Sequence, residues 1–371
     1  MPKSIAIERS ILFNMRYLVI SNNGGMLYIY RGALLRELLK NASVTVCVPH
    51  GGEEELVKLG CDVVYADVDR RGINPKNDYK LYKNYKKIIK EVKPDAVITY
   101  SIKPNIYGGY ACRRLDVPYY LHVQGLGSAF YRKGLKTVVS AMYRAAAKKA
   151  NAVFFENDGN RDIFVSGKLI RKEQAVVFSG AGVDLDAFPL TPIPDGDGVK
   201  FAFASRILKE TGVDELFYAA KKLKSEFGDR FELSVAGIFE DSYEQGVNEL
   251  HEKGIINYLG FINDVASLYK SCDAVVLPSY HEGMSNVLLE GAAIGRVLVT
   301  TDVYGCRETV ALGESGLVCP SRDADALYEA MKRVCLMSKE ERENMGKRGR
   351  AHVEKNFDRS EVVRKTIEVM K

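Results

Sequence analysis

The sequence contains no tryptophan and only seven cysteines among its 371 residues. The cysteines are scattered without a Cys-x-x-Cys pair, so the spacing typical of zinc sites and of dithiol redox motifs is absent. An odd number of cysteines without a framework favours reduced thiols in a cytoplasmic protein. No run of about 18 apolar residues occurs, so no transmembrane helix is predicted. Residues 1–14 lack the apolar core of a signal peptide and are predicted to be a loose extension before Met15.

The dinucleotide fingerprint Gly-x-Gly-x-x-Gly is also absent from the first strand–helix unit. The stretch MRYLVISNN (15–23) predicts a buried strand, and Gly24 and Gly25 follow it in a polar turn. Helical spacing from Tyr28 to Lys40 and a second strand from Val44 to Val48 complete a right-handed parallel unit. The missing fingerprint argues against an NAD-dependent dehydrogenase. The two glycines lie where open α/β sheets bind ligands, although a tight turn without a ligand explains them equally well.

The composition is that of an ordinary globular protein. With 46% hydrophobic and 27% charged residues, disorder is disfavoured, and 371 residues suggest two domains. Residues 190–200 are rich in Pro, Gly and Asp and have no apolar period, so they are the predicted linker. The strand–loop–helix pattern restarts at residue 201. We therefore predict an N-terminal domain at 1–189, a C-terminal domain at 201–355 and a terminal helix at 356–371.

Charge is divided unevenly between the two halves. Residues 1–190 carry 29 Lys and Arg against 18 Asp and Glu, whereas residues 191–371 carry 24 against 30. A basic first half indicates an anionic partner there, such as a membrane surface, a lipid diphosphate or nucleic acid. Because the second half is acidic and no recognition motif appears, nucleic acid is disfavoured. An uneven but functionless solvated surface is the simpler alternative.

Two basic segments of the first half could meet anionic lipid. Residues 69–90 place tyrosines at three-residue spacing among lysines, and residues 131–150 predict a basic amphipathic helix. Aromatic rings and lysines at headgroup level are typical of interfacial helices. The alternative for 69–90 is a crossover helix whose tyrosines pack on the sheet.

Residues 277–308 are the most informative stretch. The apolar run 274–277 predicts a buried strand, residues 280–283 a turn, and the following residues a helix. A Gly-containing turn that leads into a helix start offers free N–H groups and a positive dipole end, which suit a phosphate. Glu282 and Glu290 bracket the start of this helix. Two solvated helix glutamates without a function are the alternative.

HEGMSNVLLEG resembles the Glu-x7-Glu signature of retaining glycosyltransferases of family 4, and the resemblance extends over roughly residues 15–371. It is greatest to members that extend polyprenyl-diphosphate-linked sugars for capsule, O-antigen or glycoprotein assembly. The resemblance implies an α/β fold with two Rossmann-like domains facing a cleft (GT-B), and a last helix that returns to the first domain. It also implies a retaining, metal-independent hexosyltransferase that needs no cofactor and sits peripherally at the inner face of the cytoplasmic membrane. Its partners would be a nucleotide sugar, such as a UDP-sugar, and a lipid-linked saccharide acceptor.

The resemblance assigns roles to individual residues. Glu282 would contact the hydroxyls of the donor sugar, Arg206 the diphosphate, and Glu290 the ribose. A lysine is expected five residues after Arg206, but Thr211 stands there, and Lys209 is the candidate substitute. The remaining donor-site residues are Gly237, Gly283, Met284, Ser285, Asn286 and Val287.

The cleft loops of the first domain would face the acceptor. Within the stretch VPYYLHVQGLGSAF (117–130), many family members place a histidine at the end of the strand, close to the reacting sugar, where this chain has Gln124. His122 lies on the same strand face as Gln124 and is either a cleft residue or a structural histidine. The other predicted cleft residues are Gly24, Gly25, Lys103, Gly125 and Gly127.

Two alternatives within the same fold remain open. Losing a cation from a diphosphate site removes electrostatic stabilisation of the leaving group, so Thr211 also fits a non-catalytic homologue that binds nucleotide sugars. A sugar-nucleotide epimerase would need no acceptor. The sequence leaves the donor sugar, its base, the linkage and the oligomeric state undetermined.

Overall fold

The computed structural model describes residues 15–69, 72, 74–127, 130, 134–240 and 242–371, so the predicted extension at 1–14 lies outside the described residues. The chain divides into two units. The first contains the described residues up to Ala181 together with Val362–Lys371, and the second contains Gly182–Glu361. Residues 190–200, predicted as a linker, are grouped within the second unit.

The first unit is a parallel sheet with helices on its faces. Its strands pair in the order β3-β2-β1-β4-β5-β6-β7. They are β1 (Met15–Ile20), β2 (Ala42–Val48), β3 (Asp62–Tyr65), β4 (Ala96–Tyr100), β5 (Tyr119–Val123), β6 (Ala152–Phe155) and β7 (Ala175–Val177). The helices are α1 (Gly24–Leu38), α2 (Glu54–Leu59), α3 (Pro75–Val92), α4 (Gly109–Leu115), α5 (Leu135–Ala146) and α6 (Asp158–Ser166), with a π-helical turn at Pro104–Gly108 directly before α4.

The second unit repeats this plan. Its strands pair in the order β10-β9-β8-β11-β12-β13. They are β8 (Val199–Ala204), β9 (Phe231–Ala236), β10 (Asn257–Gly260), β11 (Ala274–Leu277), β12 (Val297–Thr301) and β13 (Gly316–Cys319). The helices are α7 (Val213–Phe227), α8 (Glu244–Glu252), α9 (Val265–Lys270), α10 (Asn286–Ile294), α11 (Ala324–Leu336) and α12 (Lys339–Asn356), and α13 (Arg359–Met370) follows them.

The central strands form because they are continuous apolar runs. Strands β4, β5, β6, β11 and β12 are buried at every position. This pattern is expected of parallel strands that helices cover on both faces. The predicted α/β fold class is confirmed by these two parallel sheets.

The last helix belongs mostly to the first unit. Val362–Lys371 is grouped there, and Val363, Ile367 and Met370 pack in one of its cores. The hydroxyl of Tyr120 in β5 donates a hydrogen bond to the carbonyl oxygen of Met370 at 3.2 Å. The predicted return of the terminal helix to the first domain agrees with this grouping.

The basic segment at 69–90 contains the crossover helix α3. Leu81, Tyr85, Ile88 and Ile89 are buried along one face, whereas Tyr79 is 58% exposed. The inner face of this helix therefore packs as expected of a crossover helix that covers the sheet. Arg70 and Arg71, like residues 131–133 of the second basic segment, lie outside the described residues. In the part of the chain that the structure describes, no helix is both long and apolar enough to cross a bilayer.

Candidate functional site

In each sheet, the direction in which successive strands are added reverses once. At this switch point the ends of two neighbouring strands lie side by side. In the second sheet, β8 is followed outward by β9 and β10 on one side and has β11 on the other. Open α/β sheets bind ligands outside the carboxyl ends of the strands at such a switch point. The loops that meet there begin with Ser205 after β8 and Pro278 after β11. They carry the predicted residues Arg206 and Glu282.

Glu282 is held by a serine in the loop that follows strand β11. The Ser279 hydroxyl, which is 1% exposed, donates to the carboxylate Oε1 of Glu282 at 2.8 Å. Burial raises the pKa of the Glu282 carboxyl, while the hydrogen bond from Ser279 and the charge of Arg206 lower it. The side chain is thus fixed in orientation at the edge of the sheet, with one oxygen bound by the protein.

The start of α10 presents backbone donors beside this carboxylate. The Ser285 side chain caps the helix by accepting from the N–H of Leu288 at 3.3 Å, and the N–H of Ser285 donates to the carbonyl of Gly305 at 2.8 Å. Within the described residues, the N–H groups of Asn286 and Val287 have no acceptor, since the first residues of a helix lack intrahelical partners. Asn286 Oδ1 is also buried without a partner in the described structure. This arrangement suits an anion.

Glu290 lies on α10 and is 9% exposed. Burial raises the pKa of its carboxyl to about 8, and the charge of Arg359 opposes the shift. A carboxyl group in this environment is neutral at pH 7, so it can donate as well as accept a hydrogen bond. Both members of the predicted acid pair are therefore perturbed groups, as is common at functional sites.

Arg206 is 52% exposed and pairs with Glu240, whose carboxylate lies 2.8 Å from the guanidinium. Thr211, at the position where a lysine is expected, is 5% exposed. Its hydroxyl lies 2.9 Å from the carbonyl oxygen of Arg206 and 2.8 Å from that of Leu208. The threonine therefore stabilises the loop and brings no charge. Lys209 is the first residue of the 3-10 turn Lys209–Thr211, which ends at this threonine.

Two glycines let the loops at this edge approach each other. Gly237, at the end of β9, has φ +154, and a Cβ there would lie 1.8 Å from the carbonyl oxygen of Ser205. Gly212 has φ +75, and a Cβ would lie 2.1 Å from the carbonyl oxygen of Pro278. Any other residue at either position would force the β8 loop away from the β9 or the β11 loop. Gly237 was predicted as a donor-site residue, whereas Gly212 was not singled out from the sequence.

The first unit has its own switch point between β1 and β4. There the Ser101 hydroxyl contacts Asn22 Oδ1 at 3.0 Å and Gln124 Oε1 at 3.4 Å. Ser101 has φ 77, an uncommon backbone conformation for a residue with a side chain. Such strain persists where the surroundings fix it, which is frequent at functional sites. The structure thus joins the loops after β1, β4 and β5 through one hydroxyl group.

Other predicted cleft residues lie on these loops. Gly24 and Gly25 form the first turn of α1 and not a separate turn, because the side chain of Asn23 caps the helix by accepting from the N–H of Met26 at 2.8 Å. Gly125 and Gly127 follow Gln124 in the loop after β5. Lys103 is paired with Asp78 of α3 at 2.7 Å and donates to the carbonyl of Gly72 at 2.8 Å.

His122 lies inside the core of the first unit and is 5% exposed. Its ring lies between Tyr100 and Phe154, with ring centroids at 4.5 and 4.4 Å. Burial lowers the pKa of the imidazole well below its usual value, and the nearby Arg31 lowers it further. The structural alternative for His122 therefore fits this environment, and Gln124 is the strand-end residue on the edge.

Sequence reasoning did not identify Ser279, Glu240, Asn22 and Ser101. Ser101 is the first residue after strand β4, and Ser279 is the second residue after strand β11, so a rule that inspects the first polar residue after each strand would have found them. Glu240 is distant in sequence from Arg206 and carries no such signal. Within the described residues, no group of three or more His, Cys, Asp or Glu side chains is placed to hold a metal ion.

Two family models match the chain. The model of glycosyl transferases group 1 matches residues 192–352, and the 4-like glycosyl transferase model matches residues 18–157. Each match falls on one of the two sheets.

Several characterised proteins are similar over most of their length. N,N'-diacetylbacillosaminyl-diphospho-undecaprenol alpha-1,3-N-acetylgalactosaminyltransferase of Campylobacter jejuni is 27% identical over 88% of this chain and 90% of its own. A UDP-Gal:alpha-D-GlcNAc-diphosphoundecaprenol alpha-1,3-galactosyltransferase of Escherichia coli is 26% identical over 71% of this chain and 72% of its own. Among solved structures, Anabaena HepE in complex with UDP and glucose superposes with a TM-score of 0.80 at 16% identity, covering 96% of this chain and 99% of the other. At this level of sequence identity, the similarity to HepE shows a shared fold and nothing more.

Proposed function

We propose that this chain, which matches the 4-like glycosyl transferase model over residues 18–157 and the group 1 model over residues 192–352, transfers a hexose or N-acetylhexosamine from a UDP-sugar to a lipid-linked saccharide in surface polysaccharide or glycan assembly. The observation that carries the proposal is the second switch point. There the Arg206 loop, the hydrogen bond between Ser279 and Glu282, and the first two N–H groups of α10 lie at one sheet edge.

The choice of substrates is supported by the relatives. The Campylobacter jejuni and Escherichia coli enzymes are both named for sugars carried on undecaprenyl diphosphate, and the second is named for a UDP-sugar. The basic first half of this chain suits a diphosphate-bearing acceptor and peripheral contact with the inner, anionic face of the cytoplasmic membrane.

The proposed reaction keeps the anomeric configuration, as the paired-acid motif implies. The bond between the anomeric carbon and the diphosphate oxygen breaks, a bond to the acceptor oxygen forms, and the acceptor proton ends on the released diphosphate. Arg206 and the N–H groups of Asn286 and Val287 stabilise the leaving diphosphate. No metal ion is needed in this scheme, because these groups supply the positive charge.

The two acids serve different parts of the donor. Glu282, which the hydrogen bond from Ser279 orients, accepts hydrogen bonds from the hydroxyls of the transferred sugar. Glu290 contacts the ribose hydroxyls. In the first unit, the loops that Ser101 joins, with Gly24, Gly25, Gln124, Gly125 and Gly127, receive the acceptor saccharide.

A second candidate function rests on Thr211. Because the threonine hydroxyl is bonded to its own loop, the site lacks one cation that the family pattern supplies. A homologue that binds UDP-sugars without transferring them would have this feature.

The deciding experiment measures release of nucleoside diphosphate from a panel of UDP- and GDP-sugars, with and without a polyprenyl-diphosphate monosaccharide. We expect release from one UDP-sugar that depends on the lipid acceptor, together with an extended lipid product of retained configuration. Adding a chelator should leave the rate unchanged. Donor binding without release from any donor would favour the non-catalytic homologue, and release of an altered sugar nucleotide without acceptor would indicate an epimerase.

A further inference from the structure

A groove lined by four tyrosines lies on the outside of the first unit. It encloses about 360 Å³ between α3 and the helical segment at 104–115. Tyr79 and Tyr82 come from α3, and Tyr107 and Tyr110 come from the facing segment, with Asp78 and Arg114 at the margin. We call this feature the tyrosine groove.

The sequence builds the groove by a simple repeat. Each helical segment carries two tyrosines three residues apart, so both rings of a pair lie on one helical face. The ring centroids of Tyr79 and Tyr82 are 6.2 Å apart. Tyr85, the next tyrosine after Tyr82 on the same helix, is fully buried in the core. Tyr79, in contrast, is 58% exposed. The rings therefore line an open apolar surface and not a closed core.

Positive charges border the rings. Lys83 Nζ lies 4.7 Å from the ring centroid of Tyr79, and the guanidinium carbon of Arg113 lies 5.7 Å from that of Tyr110. A second cavity of about 710 Å³ shares Asp78 with the groove and is lined by Lys80, Lys83 and Lys87 of the same helix, with Asp67 and Asp69 on the segment before it. An apolar surface next to lysines is complementary to a molecule that joins an apolar chain to a phosphate group.

The groove is also connected to the first switch point. Asp78 at its margin pairs with Lys103 at 2.7 Å, and Lys103 is two residues from Ser101, the hydroxyl that joins the strand-end loops. The salt bridge between Asp78 and Lys103 therefore links the margin of the groove to the segment that follows these loops.

We propose that the tyrosine groove holds the first isoprene units of the acceptor, so that the enzyme recognises the lipid chain itself. Flat rings and the methyl-branched, unsaturated chain bury apolar surface against each other, while the neighbouring lysines attract the diphosphate. This inference rests on the proposed function, since it assigns the lipid chain of the proposed acceptor to the tyrosine groove.

The test uses water-soluble acceptors without any membrane. They carry the same sugar diphosphate on one, two or three isoprene units. For the wild type we expect kcat/KM to rise with each added unit that enters the groove, by roughly tenfold per unit. Tyr79→Ala should remove most of this gain while leaving the KM for the donor unchanged.

Matched variants separate the groove from general effects. Tyr79→Phe keeps the ring and should keep the dependence on chain length. Tyr65→Ala removes a tyrosine of similar exposure, 42% against 58%, outside the groove and should have no effect on it. An unchanged chain-length dependence in Tyr79→Ala would overturn the proposal. So would a result in which this variant only weakens flotation with anionic vesicles, because the groove would then contact the bilayer.

Binding of farnesyl diphosphate, measured by calorimetry, tests the groove without catalysis. We expect the wild type and Tyr79→Phe to bind it and Tyr79→Ala to bind at least tenfold more weakly. If no acceptor is glycosylated but this pattern of binding holds, the proposed function fails and the groove stands. If transfer occurs but farnesyl diphosphate binds equally to all variants, the groove fails and the function stands.

Discussion

The hydroxyl of Thr211 lies 2.9 Å from the carbonyl oxygen of Arg206, the residue that is proposed to bind the donor diphosphate. The same hydroxyl lies 2.8 Å from the carbonyl oxygen of Leu208. Thr211, at the end of the loop, is therefore linked to Arg206 at its start and to Leu208 in its middle. A neutral, buried side chain thus fixes the position of the arginine at the point where the family pattern supplies a second cation. Thr211 therefore stabilises the loop but does not supply the positive charge that a lysine would bring to the site.

Thr211→Val is expected to weaken donor binding by releasing this loop. Valine has the shape of threonine but has no hydroxyl proton to share with these carbonyl groups, which costs about 1 kcal/mol of stability. We expect a several-fold higher KM for the donor with a small change in kcat, because Arg206 keeps its charge but loses its fixed position. Thr211→Ser retains the hydroxyl and is the control. Equal donor KM values for the valine variant and the wild type would show that the hydroxyl does not position Arg206.

Glu240→Gln is expected to tighten binding of UDP. The Glu240 carboxylate lies 2.8 Å from the Arg206 guanidinium, so it competes with a diphosphate for the same charge. Because Arg206 is about half exposed, solvent screens the pair, and its removal should change the Kd by no more than about fivefold. The gain should shrink as salt is raised, since exposed charges are screened.

Titration calorimetry with UDP at low and high ionic strength measures this effect. Glu252→Gln removes an exposed carboxylate elsewhere in the same unit and controls for the change in net charge. Weaker UDP binding by Glu240→Gln would mean that Glu240 orients Arg206 for the diphosphate and does not compete with it.

The strand–helix alternation and the acid pair could be predicted from the sequence because they depend on local patterns. The run 274–277 and the Gly-containing turn after it fixed the strand, loop and helix that hold Glu282 and Glu290, and the structure has them there. Elements with weaker patterns were not predicted. The edge strand β3 is only partly buried and lacks a continuous apolar run, and α12 is highly charged, with five residues buried among eighteen.

The partners of the site residues could not be predicted because they depend on tertiary contacts. Nothing local distinguishes Glu240 from other acidic residues, yet the parallel pairing of β8 and β9 places the loop after β9 beside Arg206. In the same way, His122 and Gln124 lie on one face by strand period. Only the packing of Tyr100 and Phe154 shows that the histidine is inside the core.

Glu282→Gln is expected to abolish most transfer while leaving the fold intact. Glutamine preserves the volume and still accepts the hydrogen bond from Ser279, so the loop should keep its position. The loss of the negative charge next to the donor sugar should lower kcat by roughly 10²–10³-fold, the range seen when one electrostatic contact to a transition state is removed. Glu282→Ala should be at least as inactive.

Product formation with the lipid acceptor and the thermal unfolding temperature are measured together. Glu314→Gln changes an exposed carboxylate in the same unit and should leave both unchanged. Normal turnover by Glu282→Gln would remove Glu282 from the proposed mechanism.

Glu290 makes the stability of the second unit depend on pH. Burial raises the pKa of its carboxyl from the ordinary value of 4.5 to about 8 in the folded chain. Between these two values, the folded state holds a proton that the unfolded state has lost, so the free energy of unfolding falls as pH rises. The slope for one such proton is at most about 1.4 kcal/mol per pH unit, and the dependence ends above the folded pKa.

Glu290→Gln should remove this contribution, because the amide does not titrate. We expect the variant to gain stability relative to the wild type as pH is raised from 5 to 8, with most of the gain complete near pH 8. Urea unfolding of the full chain, followed by circular dichroism at several pH values, measures the difference between the two proteins. A difference that stays constant over this range would show that the Glu290 carboxyl is already ionised in the folded state.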